Sequence, residues 1–488
     1  MPIHATKLRT SGIGLAIALT GVVLVATPSP AGAFGRGFGG PGFGGFAAAR
    51  GPVAGPRPGR PVGRIPGGRD PGRGPIVPPV VGGGGGVVPV GPGSAQAAGG
   101  GNNRGGMPPR GERRFLTDEV ITEFAPGTTP QAIDELARRN NLTIVESQTF
   151  ALTGTRFYRW RIGRGRPVAD LIGTLEDDRR VASIQPNYVF TAQNDPTTIA
   201  SETKGHDAQY ALGKLQAEEA HRIATGRNIR IAVIDSEIDA KHPDLDAGIV
   251  QSFDALGGDD KPHAHGTAMA GAIAAHGKLL GVAPRAELLA SRAFDDSTGE
   301  AKGNSFAIFK SLQWAADNGA RIVNMSFAGP ADPALHRILA AAYDKGIVLI
   351  AAAGNAGPAS PPLYPAADAD VIAVTATDSS DAVFKMANRG QFIAVAAPGV
   401  EILALAPGGA YQITTGTSVA AAHVSGVAAL LLECKPSLKP ADVRKVLVTT
   451  AAPSGSTGNP DLAADVVNAY RAVSAVAGST PGTEEAKQ

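Results

Sequence analysis

The stretch that decides the fold runs from Gly416 to Gly426 and reads GTSVAAAHVSG. A Gly-Thr turn delivers Ser418 to the start of a long apolar run that continues through VAALLLEC. The run is apolar nearly all the way round, the pattern of a helix buried in the middle of a domain. A serine at such an N-terminus has backbone N–H groups and the positive end of the helix dipole beside its hydroxyl. That setting suits a nucleophile that must generate an oxyanion. It equally suits a serine that only caps the helix, so the rest of the chain has to decide.

Upstream, short β-rich runs alternate with helical ones. IRIAVID, AELLASRAF, RIVNMSF, GIVLIAAAG and VIAVTA read as strands, and SFAIFKSLQWAADNGA and DPALHRILAAAYDKG as helices. Continuous apolar strands alternating with helices imply an α/β fold, a doubly wound and mostly parallel sheet covered on both faces. In such sheets functional groups collect beyond the carboxyl ends of the strands, and three polar residues fall there. Asp235 closes IRIAVID, where a carboxylate at the edge of a core needs a donor to remain ionised. His265 stands just before a helix of small residues in HAHGTAMAGAIAA. Asn355 ends the run LIAAAGN, and its amide either donates to an oxyanion or makes a turn. His263 and His265 together raise the question of a metal. The chain lacks the cysteines and suitably spaced carboxylates such a site needs, so no metal site is expected.

Taken together and in this order, IAVIDS, HGTAMAG, AAAGN and GTSVAAAHVSG resemble the motifs of the subtilisin-like serine peptidases, the subtilases. The resemblance runs from about Tyr210 to Val476, and VNAYRAV resembles the usual end of that domain. It implies a nucleophilic Ser418, a general base His265, an orienting Asp235 and an oxyanion donor Asn355. NMSFAGP resembles the strand along which those enzymes lay out substrate, which makes Ser326, Phe327, Ala328 and Gly329 one wall of the binding cleft. Ala353 and Gly354 form the other, and Phe327 is expected to line an apolar subsite. The chain departs from the family pattern at Glu237, Ala268, Ala328 and Ala422. No cofactor is implied. Many relatives insert an Asn-rich loop that holds a tight calcium ion, but here HGKLLGVAP passes directly to the next strand. The tight calcium loop is therefore expected to be absent, with a weaker site elsewhere left open.

Composition adds the outer frame. The chain has 488 residues, a net charge of +2 and a single cysteine, Cys434, which excludes an intramolecular disulfide and is expected to be a small buried core residue. Lys7 and Arg9 precede the apolar segment GIGLAIALTGVVLVA, and Ala31-Gly32-Ala33 offers a cleavage site. Residues 1–33 therefore read as a signal peptide, with an uncleaved anchor as the alternative, and the protein as secreted to the periplasm or the exterior. Residues 34–112 are Gly, Pro and Arg with too little apolar surface to fold, so a disordered spacer is expected. No folded reading module accompanies the arginines, so sequence-specific nucleic-acid binding is not expected.

From 113 to 192 the pattern is β-α-β-β-α-β, a ferredoxin-like α+β order. Its size and place resemble the inhibitor prodomain of many subtilases. Residues 193–209 read as an exposed linker, 210–476 as the peptidase domain and 477–488 as a flexible tail. The implied protein is a secreted serine endopeptidase and monomer that takes polypeptide substrates. It carries its own prodomain as an intramolecular inhibitor and releases it by self-cleavage between about Val189 and Gly205. The other function class compatible with the residues is a non-catalytic binding protein on the same fold.

Overall fold

The computed structural model describes residues 106–192, 209–258, 261–295, 301–453 and 464–478. The signal segment, most of the Gly/Pro/Arg-rich stretch, most of the linker and nearly all of the tail lie outside the described residues.

The first module comprises β1 (Phe115–Phe124), α1 (Pro130–Arg139), β2 (Leu142–Phe150), β3 (Thr155–Ile162), α2 (Val168–Leu175) and β4 (Val181–Ala192). Its strands lie in the order β4-β1-β3-β2, every pair antiparallel. The two helices bury Leu136 and Leu171 on one sheet face around Trp160, whose indole N–H donates to Thr122 Oγ1 at 2.8 Å. The described residues begin at Gly106, ahead of the expected boundary at Arg113. Gly106 N–H donates to the Ile184 carbonyl at 2.8 Å, against a strand so close that an added Cβ would lie 2.5 Å from Gln185 Cβ. Glu112 then accepts the backbone N–H groups of Arg113 and Arg114, and the Arg114 guanidinium holds its carboxyl below the ordinary value.

The second part opens with α3 (Tyr210–Leu215), α4 (Ala217–His221), β5 (Arg230–Ser236), β6 (Ile249–Asp254), α5 (Ala264–Ala274), β7 (Glu287–Asp295) and β8 (Lys302–Asn304). It continues with α6 (Ser305–Asp317), β9 (Ile322–Met325), β10 (Phe327–Ala328), α7 (Pro333–Asp344), β11 (Val348–Ala352), β12 (Val371–Thr377) and β13 (Ile393–Pro398). It ends with the hairpin β14 (Ile402–Ala406) and β15 (Ala410–Thr414), then α8 (Thr417–Cys434), α9 (Pro440–Thr450) and α10 (Ala469–Ala477). Seven strands, in the order β6-β7-β5-β9-β11-β12-β13, pair in parallel throughout. Helices α6 and α7 cover one face, and α5, α8 and α10 the other, giving one core on each side. Being covered twice is why the strands read as unbroken apolar runs. Helix α8 is long and apolar enough to cross a membrane, yet Thr417 through Leu432 are all buried in protein, so it is a core helix. Cys434 at its end is only half-buried, not the core residue expected, because the helix emerges there; burial and Glu433 push its thiol up.

Strand β4 joins the two parts. Past the first module it runs antiparallel between β8 and β10, with Phe190 opposite Gly303, Thr191 opposite Ala328 and Ala192 opposite Phe327. The open face of the first module packs on α6 and α7, where Phe150 and Phe157 meet Phe306 and Phe309. Polar groups fasten the same interface. Lys310 Nζ reaches Glu146 at 2.9 Å, and Gln185 Oε1 and Asn187 Oδ1 accept N–H groups at the starts of α7 and α6. Asn187 thereby satisfies a helix-end donor, and Gln185 shares the Ala334 N–H with the cap residue Asp332.

Candidate active site

Asp235 and His265 come together at the carboxyl edge of the parallel sheet. Asp235 is the penultimate residue of β5 and His265 lies in the first turn of α5; each is 1% exposed. His265 Nδ1 donates to Asp235 Oδ1 at 2.6 Å, and the same oxygen accepts the Ser236 N–H at 2.7 Å. The ring therefore carries its proton on Nδ1 and presents a bare Nε2. Nε2 is buried with no hydrogen-bond partner among the described residues, so the bond to Ser418 implied by the resemblance is not made in this conformation.

Ser418 is not the cap of α8. Gly416 occupies that place without a side-chain bond, and Ser418 follows Thr417 inside the first turn. The capping alternative fails, because a serine within the turn is carried by the helix, with the helix N–H groups around it. Helices α5 and α8 pack side by side. Ser326 Oγ donates to the Ser418 carbonyl at 2.9 Å, tying the helix start to the link between β9 and β10. Asn355 uses its side-chain oxygen to accept the Thr417 N–H at 3.0 Å and the Thr417 hydroxyl at 2.9 Å. That fixes which end of the amide is the donor. Thr417, unremarked in the sequence, orients the asparagine and also accepts the Gly354 N–H at 3.1 Å.

Phe327 is buried against Phe294, with ring centroids 4.8 Å apart, and its other side takes the edge of Phe190 from β4. Ala328 is buried and Gly329 closes on Tyr364 through paired backbone bonds. Ala353 is buried behind Gly354 at the end of β11. Strand β8 was not legible in the sequence, since Lys302-Gly303-Asn304 has no strand pattern of its own; it exists through pairing with β4 and β7. Glu237, one of the departures from the family pattern, is not among the residues of positive φ. The side chain is accommodated without backbone strain.

The turn that replaces the Asn-rich loop is closed by donors. Buried Asp244 accepts the N–H of Lys278 at 3.0 Å, the N–H of Leu279 at 2.8 Å and the hydroxyl of Tyr411 at 3.2 Å. The Gln209 amide pairs with both backbone groups of Leu280, each at 2.9 Å. Burial and the Asp244 carboxylate push the Tyr411 phenol up to about 12, so it stays a donor. A hard cation needs converging oxygens; here N–H and O–H groups converge on the carboxylate, and a calcium ion does not fit.

Residues 226–472 match the family model described as the subtilase family. The chain is 37% identical to thermitase of Thermoactinomyces vulgaris over 273 residues, covering 54% of this chain and 95% of that protein. It is 39% identical to subtilisin E of Bacillus subtilis strain 168 over 295 residues, covering 57% of this chain and 76% of that one. Among solved structures it resembles fervidolysin from Fervidobacterium pennivorans, a keratinolytic enzyme related to subtilisin, with a TM-score of 0.63 at 24% identity. That likeness is one of fold; it covers 76% of this chain and 63% of the other, a little under two thirds of its length.

Proposed function

The chain belongs to the subtilase family and is a serine endopeptidase, and from that premise we propose that Asp235, His265 and Ser418 are its catalytic triad. The observation that carries this is the buried dyad, with His265 Nδ1 2.6 Å from Asp235. Ser418 Oγ is too weak an acid to attack a peptide carbonyl unaided. His265 Nε2 removes its proton and returns it to the leaving amine, while Asp235 holds the tautomer and stabilises the imidazolium. Hydrogen bonds of this kind are often long in a resting site and tighten in the reacting complex. The tetrahedral oxyanion is received by the Ser418 backbone N–H and the Asn355 side-chain amide at the positive end of α8.

The first module is read as an inhibitor prodomain, and β4 supports that reading. A strand held antiparallel between β8 and β10 is an extended peptide in a cleft, bound as strand addition binds a substrate. Ala192, the last described residue of β4, pairs with Phe327, and Ser326 just before Phe327 donates to the Ser418 carbonyl. The bond proposed for self-cleavage is therefore Gln193–Asn194, inside the expected processing window and just outside the described residues. The protein is then a secreted, monomeric zymogen, exported by its N-terminal apolar segment. It needs no cofactor and no calcium at the Asp244 turn.

Two measurements on the purified full chain test this. The parent should label at Ser418 with a fluorophosphonate and release a fragment beginning at Asn194, while Ser418→Ala stays uncut. Cleavage of Ser418→Ala at the same bond would end the self-processing reading. An unlabelled parent would favour a binding protein on a peptidase fold.

A further inference from the structure

Behind the Asp235–His265 pair stand two residues with no role assigned so far, Ser236 and His263. His263 is the N-cap of α5, and its Nδ1 accepts the backbone N–H of His265 at 3.2 Å. The same nitrogen lies 3.0 Å from Ser236 Oγ. Ser236 Oγ lies 3.1 Å from Asp235 Oδ1 and accepts the Gly266 N–H at 3.0 Å. His263 N–H donates to the Glu237 carbonyl at 2.8 Å. The end of β5 is thus stitched to the start of α5 at three points, and the contact is close. A Cβ on Gly266 would stand 2.3 Å from the Ser236 carbonyl oxygen.

We propose that His263 is a positioning residue for the catalytic dyad, one that holds His265 against Asp235 while neutral and loosens it when protonated. The proposal rests on the triad assigned above. A backbone N–H can only donate, so the contact from His265 requires a lone pair on His263 Nδ1. The single hydroxyl hydrogen of Ser236 is then shared between that nitrogen and Asp235. A proton on Nδ1 reverses this. Nδ1 becomes a donor to Ser236 Oγ, the hydroxyl hydrogen is committed to Asp235, and the His265 N–H loses its cap. A positive charge also arrives two hydrogen bonds, of 3.0 and 3.1 Å, from Asp235 Oδ1. It opposes the imidazolium that His265 must become during the reaction.

Charged groups surround His263 on several elements. Asp235 and His265 lie on one side, Glu237 follows the end of β5, and Lys261 precedes the cap. Arg292 and Asp295 reach the same cleft from β7. Arg292, a like charge to a protonated His263, is paired with Asp254 at 3.1 Å, which offsets its charge at the cleft.

The test is the pH dependence of kcat/KM for peptide hydrolysis by the self-processed full chain. The acid limb of the parent should fall by up to about 100-fold per pH unit, the slope of two essential protons. His263→Asn should fall about tenfold per unit, because one proton is removed from the scheme. His263→Ala should lower kcat about tenfold at pH 9 with KM nearly unchanged. His263→Asn should recover most of that loss, since asparagine is a good cap. A cap of purely structural importance would leave the slope of the limb alone. Should His263→Ala fail to fold, parent against His263→Asn still decides. An active parent with a single-proton limb, or a limb that His263→Asn leaves unchanged, overturns the positioning role alone. A parent that neither labels nor hydrolyses peptide overturns the catalytic reading beneath it.

Discussion

Asp244→Ala is the perturbation with the clearest structural arithmetic. The carboxylate is 2% exposed and closes the His276–Leu280 turn by accepting the backbone N–H groups of Lys278 and Leu279. Hydrogen bonds to a charged group contribute about 1.5–3 kcal/mol each, so two such bonds give about 3–6 kcal/mol. The Tyr411 hydroxyl, at 3.2 and 3.3 Å from the two oxygens, adds little at that length. Lys278 is exposed, so water recovers part of the loss for its N–H, which favours the lower half of the range. For a domain of this size about 3 kcal/mol corresponds to a fall in Tm of about 6–12 °C. The assay is thermal unfolding in the Ser418→Ala background, which prevents self-digestion, with added calcium and with chelator. The parent should melt at nearly the same temperature in both, and Asp244→Ala should melt lower by the stated amount in both. The reasoning is refuted if chelation lowers Tm of the parent but not of Asp244→Ala, because the carboxylate would then be a cation ligand.

Two further outcomes are expected. Burial pushes His423 down to about 4 from an ordinary value near 6.5, against a weaker opposite pull from its bond to the Pro398 carbonyl. Between those values the unfolded chain binds a proton that the native chain refuses, so its contribution is complete above the unfolded value and is lost as pH falls. The loss between pH 7 and 5 should be about 2 kcal/mol by denaturant titration. His423→Gln should remove that pH dependence, and an unchanged slope contradicts the assignment. At the cleft, Ala328→Gly should raise kcat/KM for Phe relative to Ala before the scissile bond. Removing one methyl from a close fit is worth about 1–3 kcal/mol, or between about 5- and 150-fold. A parent that already prefers Phe shows that Ala328 does not shape the pocket.

The peptidase core was legible because its signals are local or periodic. Ile231 to Ile234 and Val348 to Ala352 are buried throughout, and a strand covered on both faces has to be written as an unbroken apolar run. Asp235, His265, Asn355 and Ser418 each close or open such a run, which sets them at its edge, while their roles were read from the resemblance of the four motifs taken together. The β-α-β-β-α-β order of the first module was likewise visible, because its two helices carry a clear apolar stripe between short β-rich runs.

Other features depended on neighbours distant in the chain. Gly106 reads as part of a glycine-rich spacer until Ile184 is placed beside it. Lys302-Gly303-Asn304 has no strand pattern and becomes β8 only because β4 and β7 offer backbone partners. Asp244 carries no local signal in HPDL; the donors of a segment more than thirty residues away make it the closure of a loop. His263 raised only the question of a metal, and Ser236 carried no signal of its own. Residue type and periodicity determine which groups face a core and which stand at its edge. Which edge groups share a hydrogen is set by ångström-scale approach between strand ends and helix starts, and only the packed chain decides that.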